Sequence, residues 1–282
     1  MSALVNNNGH LERSEQVALG LDNRAFLYGD SLFETIKVTN GKVLFWADHF
    51  QRLMRGASLL QYDLPTDFKE NQLQEQILAL VQENALSTAR VRLQLFRNAG
   101  GRYLPTDNST SFLISAEKWD IPRYQVNEKG LHVGIYPAGK KDNHPLANFK
   151  TGSALIYILA ALHAKKNGWD DALILNHEGR IMEATASNIF LVKGTHIHTP
   201  PLNDGPVAGI LRKQVFSLAL EAGYGISSGP VTEENLQAAD ELWLTNTMQG
   251  IRWVEKYGSK TYQAAVASRF CKLLEDFSQK SS

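Results

Sequence analysis

A run of short strands separated by turn residues limits the folds that this sequence can adopt. Between residues 172 and 199, short apolar stretches alternate with turn-forming segments such as Lys193-Gly194, which predicts strands at 172–175, 181–184, 188–192 and 196–199. Helices are predicted on either side of this run, at 153–167 and 209–222. Because strands and helices follow one another without a sustained β–α–β rhythm, the sequence predicts an α+β fold rather than a doubly wound one.

The first half of the chain has a strand and helix pattern of its own. Asn40-Gly41 separates two alternating runs, 34–39 and 42–46, and predicts a hairpin because both residues tolerate positive φ. Further helices are predicted at 47–60, 67–84 and 262–277, and further strands at 90–96, 111–115, 131–136 and 241–245.

A stretch marked by proline and charge divides the two halves. With 282 residues, the chain exceeds the usual size of one domain. We therefore predict a small N-terminal domain at 1–118, a linker at 119–130 and a larger C-terminal domain at 131–282.

Charge and cysteine content exclude several classes of function. Lys plus Arg and Asp plus Glu both number 29, so the chain has no basic excess for binding a nucleic acid or an anionic membrane surface. Cys271 is the only cysteine, which excludes an internal disulfide and a thiolate metal site, and a cytoplasmic protein without a metal is the simplest interpretation. The longest apolar stretch, 154–164, is too short to span a bilayer and is predicted to be a buried helix.

Two titratable residues in the second half are candidates for chemistry. Lys150 lies in the loop Asn148-Phe149-Lys150-Thr151-Gly152, and a lysine becomes nucleophilic toward an aldehyde when burial or positive charge lowers its pKa. Glu183 ends a predicted strand, where a carboxylate can pair with a protonated ring nitrogen. Taken alone, each residue is more typical of a solvated loop or strand end.

Three further segments could bind an anion. The helix predicted after Gly209 begins with amide groups, those of Gly209, Ile210 and Leu211, that lack partners within the helix and could hold a phosphate. The turn 245–247 could add hydroxyl and amide donors, and Arg52 on a predicted helix could turn inward as a bidentate clamp. Most helix starts, polar turns and helical arginines have no such role.

Taken in this order, these elements resemble the fold-type IV, class IV enzymes that use pyridoxal 5′-phosphate (PLP). This family includes 4-amino-4-deoxychorismate lyases and branched-chain and D-amino-acid aminotransferases. The matching segments run from Tyr28-Gly29-Asp30-Ser31-Leu32-Phe33-Glu34-Thr35 to Thr245-Asn246-Thr247. The most specific is Glu183-Ala184-x-x-Ser187-Asn188-Ile189-Phe190, which lies downstream of Lys150 and is followed by Gly209-Ile210-x-Arg212.

The resemblance implies a PLP enzyme with a two-domain α+β fold like that of D-amino-acid aminotransferase, with the cofactor between the domains. Such enzymes are usually homodimers that act on small amino-acid-like substrates. Lys150 would carry PLP as an imine and later move protons, and Glu183 would contact the pyridine nitrogen. The residues implied at the phosphate are Arg52, Ile210 and Leu211 through their amides, and Thr247. The implied cofactor set is completed by Ser187, Asn188, Gly209 and Asn246.

Three features favour the lyase, which forms 4-aminobenzoate and pyruvate in folate biosynthesis. The stretch 97–103 resembles one in the chorismate-type lyases, and its Arg97 and Arg102 suit a substrate with two carboxylates. Thr35 stands where those lyases also have threonine, and its hydroxyl could relay a proton or bind a substrate oxygen. Asn246 fits the lyase form of the strand-end turn.

A transaminase of the branched-chain or D-amino-acid type is the alternative. Arg92 stands where branched-chain aminotransferases place an arginine for the substrate carboxylate. Tyr28, an implied substrate contact, is shared by several subfamilies, whereas Leu155 replaces a tyrosine of the branched-chain enzymes. The sequence therefore predicts an enzyme of this family, with the lyase favoured over the transaminase.

Overall fold

The computed structural model describes residues 3–280, which form two compact units. Within this range, unit 1 comprises residues 3–122 and Phe149–Ser153, and unit 2 comprises Arg123–Asn148 and Ala154–Lys280. The division falls inside the predicted linker. The assignment of Phe149–Ser153 to unit 1 has no counterpart in the predicted domain boundaries, whose outermost residues 1, 2, 281 and 282 lie outside the described residues.

Unit 1 is built on a six-stranded antiparallel sheet. Its strands are β1 (Leu4–Asn7), β2 (His10–Arg13), β3 (Ser31–Thr39), β4 (Lys42–Val43), β5 (Thr88–Arg97) and β6 (Thr110–Lys118). They lie in the order β2-β1-β6-β5-β3-β4. The helices of the unit are α1 (Arg24–Tyr28), α2 (Trp46–Leu59) and α3 (Glu70–Glu83).

Alternation along the strands explains the core of unit 1. In β5, the side chains of Val91, Leu93 and Leu95 are fully buried, and residues at this spacing point to one face of a sheet. Leu73 and Ile77 lie one turn apart in α3 and belong to the same core cluster. Burial thus repeats every second residue in the strand and about every 3.6 residues in the helix, which are the two patterns that predict these elements.

Two turns in unit 1 illustrate where local signals succeed and fail. Asn40 and Gly41 have φ of 52° and 72°, which confirms the predicted hairpin turn. The strand predicted at 42–46 ends at Val43, because Phe45 has a φ of 55° and Trp46 begins α2. The hairpin of β1 and β2 was not predicted, although Asn8-Gly9 forms its turn.

Unit 2 contains a nine-stranded sheet. Its strands are β7 (Leu131–Lys141), β8 (Asp171–Asn176), β9 (Ile181–Ala184), β10 (Asn188–Lys193), β11 (His196–Thr199), β12 (Gly225–Ser228), β13 (Glu241–Asn246), β14 (Gly250–Tyr257) and β15 (Lys260–Thr261). They lie in the order β12-β11-β10-β13-β14-β7-β8-β9. In addition, β15 pairs with β14, and β9 also pairs with β10. The strands from β10 to β9 thus form a closed ring.

Four helices complete unit 2, namely α4 (Leu155–Lys166), α5 (Ile210–Glu221), α6 (Glu233–Ala238) and α7 (Ala265–Lys280). The pairings of β7 with β8 and β11 with β12 are parallel, and α4 and α5 lie in the connections, whereas β10 pairs with β13 in the antiparallel sense. This mixture confirms the predicted α+β class.

Helix α4 differs from the buried helix predicted at this position. Among its residues, Ala160 and Ala164 are buried. Four large side chains are more than half exposed, namely Leu155 (72%), Ile158 (51%), Leu159 (53%) and Leu162 (59%). Their spacing places them on one side of the helix, and we refer to them as the α4 apolar face. An apolar sequence therefore indicated a helix here but not what covers it.

Within residues 3–280, none of the helices combines the length and apolar character needed to cross a membrane.

Candidate active site

The segment that carries Lys150 is fixed along the edge of β3. The Phe33 amide donates to the Lys150 carbonyl oxygen at 2.8 Å. Two residues on, the Gly152 amide donates to the Ser31 carbonyl oxygen at 2.9 Å. A β-carbon at Gly152 would lie 2.4 Å from the Ser31 hydroxyl oxygen and 3.1 Å from the Gly29 carbonyl oxygen, so glycine favours this close approach. The backbone of Lys150 is therefore held by unit 1.

The Lys150 and Arg92 side chains contact the same aromatic ring, that of Phe33. Lys150 is half-buried, and its Nζ lies 4.5 Å from the centroid of the Phe33 ring. The Cζ of Arg92 lies 3.7 Å from the same centroid. Thr35 is the direct cross-strand partner of Arg92 and lies on the same face of β3 as Phe33. Three of the predicted residues, Lys150, Arg92 and Thr35, are thus grouped around Phe33.

The Arg92 guanidinium is partly desolvated. Its Nε and Nη2 donate to Gln94 Oε1 at 2.9 and 2.6 Å. Burial, with the added positive charge of Arg90, lowers the pKa of Arg92. A cation in such surroundings attracts a carboxylate more strongly than a solvated one does, because less water screens the pair.

Arg52 is paired with Glu34 inside unit 1. Both side chains are buried, and Arg52 Nε donates to Glu34 Oε1 at 2.8 Å while Arg52 Nη2 donates to Glu34 Oε2. The Nδ1 of His49 lies 2.6 Å from Glu34 Oε2. Burial opposes ionisation of Glu34, but the Arg52 charge and the contacts with His49 outweigh it and lower the pKa of Glu34 to about 2. The pair fixes the plane of the Arg52 guanidinium.

Sequence reasoning did not identify Glu34 as a partner of Arg52. A signal was present, because a charged residue interrupts an apolar alternation in which Leu32 and Ile36 are buried. Burial also lowers the pKa of His49 despite its contact with Glu34. Among residues 3–280 the Nε2 of His49 has no hydrogen-bond partner.

Arg97 is bound on all sides by unit 1. It is 5% exposed, and its Nε donates to Asp30 Oδ2 at 2.9 Å. Its Nη2 donates to the Leu60 carbonyl oxygen at 2.7 Å, and its Nη1 donates to Asn108 Oδ1. The guanidinium group is thus committed to the fold, which favours a structural role for Arg97 over the predicted contact with a substrate carboxylate.

Arg102 has the opposite character, since its side chain is exposed. Arg24 Nη1 donates two hydrogen bonds to this loop. One goes to the Arg102 carbonyl oxygen at 2.5 Å, and the other goes to the Gly100 carbonyl oxygen at 3.0 Å. Arg24 therefore fixes the backbone of this loop and leaves the Arg102 guanidinium unburied. Tyr28 lies beside the loop, with its ring centroid 5.7 Å from that of Tyr103.

Glu183 is a buried carboxylate of unit 2. It is 3% exposed, and its Oε1 accepts from Lys141 Nζ and from the Tyr157 hydroxyl, each at 2.8 Å. Its Oε2 accepts from the Val207 amide at 2.8 Å. Burial and the Glu183 charge raise the pKa of Tyr157, so the phenol keeps its proton and donates. Sequence reasoning identified Glu183 but neither Lys141 nor Tyr157.

The predicted anion-binding residues of unit 2 lie close to one another. Gly209 caps α5, and a β-carbon there would lie 1.9 Å from Asn188 Oδ1, so any larger residue would displace the Asn188 side chain. Asn188 Nδ2 donates to the Val207 carbonyl oxygen at 2.8 Å. Ile210 and Leu211 form the first turn of α5, where amides lack partners within the helix and the helix dipole is positive. The side chain of Leu211 is buried, so its amide is the group that can serve an anion.

The strand end 245–247 adjoins the same region. Thr245 is the cross-strand partner of Asn188, and Asn246 Nδ2 donates to Ser187 Oγ at 3.0 Å. In the described part of the chain, the buried Thr245 Oγ1 has no hydrogen-bond partner. The Thr247 carbonyl oxygen accepts from the Tyr124 hydroxyl at 2.7 Å, which fixes the turn.

These donors and acceptors fit the chemistry of PLP. Unit 2 offers a buried carboxylate for a protonated ring nitrogen and a set of amides and hydroxyls for a phosphate, including the orphaned Thr245 Oγ1. Unit 1, taken by itself, has a primary amine at Lys150 and a buried cation at Arg52. Within residues 3–280, no group of three or more His, Cys, Asp or Glu residues could hold a metal ion.

Comparison with known proteins gives a family for this arrangement. A family model described as amino-transferase class IV matches residues 31–257. The chain is 26% identical to an aminodeoxychorismate lyase of Vibrio harveyi, over 84% of this chain and 86% of the relative. It is 28% identical to the branched-chain-amino-acid aminotransferase of Escherichia coli (strain K12), over 85% of this chain and 80% of the relative.

A solved structure has the same fold. The branched-chain aminotransferase of the thermophilic archaeon Thermoproteus uzoniensis, solved with norvaline, superimposes with a TM-score of 0.88 at 25% identity. The match covers 98% of this chain and 94% of that chain. The fold expected from the sequence is thereby confirmed.

Proposed function

Since this chain belongs to the amino-transferase class IV family, we propose that it is a PLP-dependent 4-amino-4-deoxychorismate lyase. It acts on a small amino-acid-like substrate and releases 4-aminobenzoate and pyruvate, a reaction of folate biosynthesis. Relatives with lyase and transaminase activity match the chain to a similar extent, so the choice rests on its own residues.

The observation that carries this proposal is the group around Phe33. Lys150 Nζ and the Arg92 guanidinium contact the same ring, and Thr35 lies opposite Arg92 on the neighbouring strand. An amine, a carboxylate-binding cation and a hydroxyl in one group suit a substrate that carries an amine and a carboxylate. The substrate of the lyase has a second carboxylate, for which Arg102 supplies an exposed guanidinium.

Each residue of this group has a defined task in the proposed reaction. Bound at Lys150, PLP supplies an electron-withdrawing ring that stabilises negative charge on the neighbouring carbon. Once the substrate amine has replaced Lys150 on the cofactor, the freed Lys150 amine would remove the proton from the substrate carbon that bears the amino group. Thr35 binds a substrate oxygen or relays a proton, and Arg92 orients a carboxylate.

The remaining residues hold the cofactor. Glu183 would accept a hydrogen bond from the ring nitrogen. Arg52, the amides of Ile210 and Leu211 and Thr247 would hold the phosphate, and Ser187, Asn188, Gly209 and Asn246 would complete the cofactor-binding set. Tyr28 contacts the substrate.

A paired assay tests the reaction type. We expect the purified protein to release pyruvate from 4-amino-4-deoxychorismate. With branched-chain or D-amino acids plus 2-oxoglutarate, we expect no comparable glutamate formation. Glutamate formation without pyruvate release would instead identify a transaminase, whose substrate carboxylate the Arg92 guanidinium beside Lys150 could bind equally well.

Arg102→Ala is expected to lower kcat/KM for the lyase substrate roughly 10- to 100-fold, because a charge-assisted bond to a carboxylate is lost. Cofactor affinity should stay unchanged. The contact of Arg24 with the loop uses the Arg102 carbonyl oxygen, which alanine retains. Steady-state kinetics and a PLP titration measure the two effects.

Arg55→Ala is the matched control for Arg102, since Arg55 is an exposed arginine of α2 outside the proposed site. It should change neither kcat/KM nor cofactor affinity. Equal loss of catalysis and cofactor binding in Arg102→Ala would show that Arg102 serves the fold instead.

The protein is further proposed to be a homodimer in which the α4 apolar face is covered by a second copy. Four large apolar side chains on one side of a helix form the kind of patch that marks a protein interface. Leu159→Glu should therefore weaken the dimer, as measured by light scattering coupled to gel filtration. Leu220→Glu, on an exposed leucine of α5 outside this face, is the control. A Leu159→Glu protein with unchanged mass over a dilution series would refute this interface.

The cytoplasmic location stays a prediction.

A further inference from the structure

We propose that Lys141 is a positioning residue that pairs a positive charge with the Glu183 carboxylate and orients it toward the cofactor ring nitrogen. The inference rests on the proposed PLP site and concerns a residue that no sequence pattern singled out. Lys141 ends β7 and is 9% exposed, and its Nζ lies 2.8 Å from Glu183 Oε1.

The Lys141 ammonium group has no capacity left for another role. It carries three N–H donors and no acceptor. One donor is used by Glu183, and the others by the Ala147 carbonyl oxygen at 2.9 Å and the Gly205 carbonyl oxygen at 2.6 Å. A lysine whose three N–H groups are all hydrogen-bonded is held in one orientation. Its effect on the reaction must therefore pass through Glu183.

The Glu183 carboxylate, by contrast, keeps one acceptor position with respect to residues 3–280. Two oxygens offer about four lone-pair positions in the carboxylate plane. Lys141 and Tyr157 occupy two on Oε1, and the Val207 amide occupies one on Oε2. The position that remains is on Oε2, where a ring N–H can donate. The three bound donors thus orient the carboxylate and leave an acceptor for the cofactor.

Of these three donors, Lys141 alone brings a positive charge. Removing a carboxylate from water is costly unless a cation is paired with it, and the two groups lie in contact inside unit 2. Without Lys141, the buried Glu183 carboxylate lacks its counter-cation and one of the donors that orient it, so its bond to a protonated ring nitrogen is weaker. Loss of the cation should therefore change the selectivity of the site for that nitrogen.

The test compares the binding of PLP with that of its 1-deaza analogue, in which carbon replaces the ring nitrogen. Both are titrated into apoprotein, and affinity is followed by the quenching of tryptophan fluorescence. We expect wild-type protein to bind PLP at least about tenfold more tightly than the analogue, because the analogue cannot form the charge-assisted bond. In Lys141→Met this ratio should fall to about threefold or less, because a carboxyl group without its oriented counter-cation makes a weaker bond to the ring nitrogen.

Two further variants separate positioning from a merely structural role. Lys141→Arg keeps the charge and should restore most of the preference for PLP. Lys140→Met removes a neighbouring exposed lysine and should leave the ratio at the wild-type value. If Lys141→Met does not fold, Lys141→Gln, which keeps two N–H donors without the charge, takes its place.

The outcomes distinguish this inference from the proposed function. An unchanged ratio in Lys141→Met or Lys141→Gln, even with weaker binding of both ligands, would overturn the role of Lys141 and leave the cofactor assignment intact. Wild-type protein that binds neither ligand would instead overturn the cofactor assignment itself.

Discussion

Lys150→Ala is expected to abolish turnover, with a loss in kcat of at least about a thousandfold, because the variant lacks both the covalent link to the cofactor and the proton-transferring amine. The fold should persist, since the segment is held to β3 by its backbone, through the Phe33 amide and the Gly152 amide. Activity is measured by pyruvate release, and the fold is checked by circular dichroism.

The covalent link provides an independent measurement. Borohydride treatment of the wild-type protein should attach the cofactor irreversibly to a peptide that contains Lys150, as identified by mass spectrometry. Lys193→Ala, which removes an exposed lysine of β10, should label and turn over normally. Labelling of a different lysine, or full activity of Lys150→Ala, would contradict the assignment.

Much of the fold was accessible from the sequence because its determinants are local. Alternation located β9 and β11 to the residue, and the periodicity of Leu73 and Ile77 located α3. The start of α5 followed from Gly209, whose lack of a β-carbon leaves room for the Asn188 side chain. These features depend on neighbours in the chain or on one residue type.

The residues that support the candidate site were less accessible, because they are paired over long distances in sequence. Glu183 is separated from Lys141 by 42 residues and from Tyr157 by 26. The return of Phe149–Ser153 to unit 1 likewise depends on pairing with β3, more than a hundred residues earlier. Tertiary contacts of this kind leave no periodic trace in a single sequence.

The difference between Arg97 and Arg102 was likewise inaccessible from the sequence, because it depends on tertiary contacts. Both are arginines of one stretch, and the sequence treats them alike as candidates for substrate carboxylates. The structure separates them, because Asp30 lies within reach of the Arg97 guanidinium while the Arg102 side chain is exposed. Burial, which a sequence motif does not report, decides which cation is available to a ligand.

Glu34→Gln is expected to destabilise the apoprotein by about 3–5 kcal/mol near neutral pH, because it leaves the buried Arg52 cation without its counter-charge. Glu117→Gln is the matched control. Its pair with Arg90 is exposed, so the expected loss is below about 1 kcal/mol. Urea unfolding of the two variants measures the difference, and similar midpoints would show that the buried pair contributes no more than a surface one.

The same carboxylate should make wild-type stability depend on acid. The pKa of Glu34 is about 2 in the folded protein against 4.5 for the free side chain, so its stabilisation is present above pH 4.5 and is lost as the pH falls toward 2. This difference corresponds to a loss on the order of 3 kcal/mol. His49 acts in the same direction below about pH 6.5, because its pKa is lowered by burial and the unfolded chain binds the proton more readily.

Urea midpoints measured from pH 7 to pH 3 should therefore fall less steeply in Glu34→Gln than in the wild type. Since glutamine cannot titrate, parallel curves would show that Glu34 is not the source of the acid sensitivity.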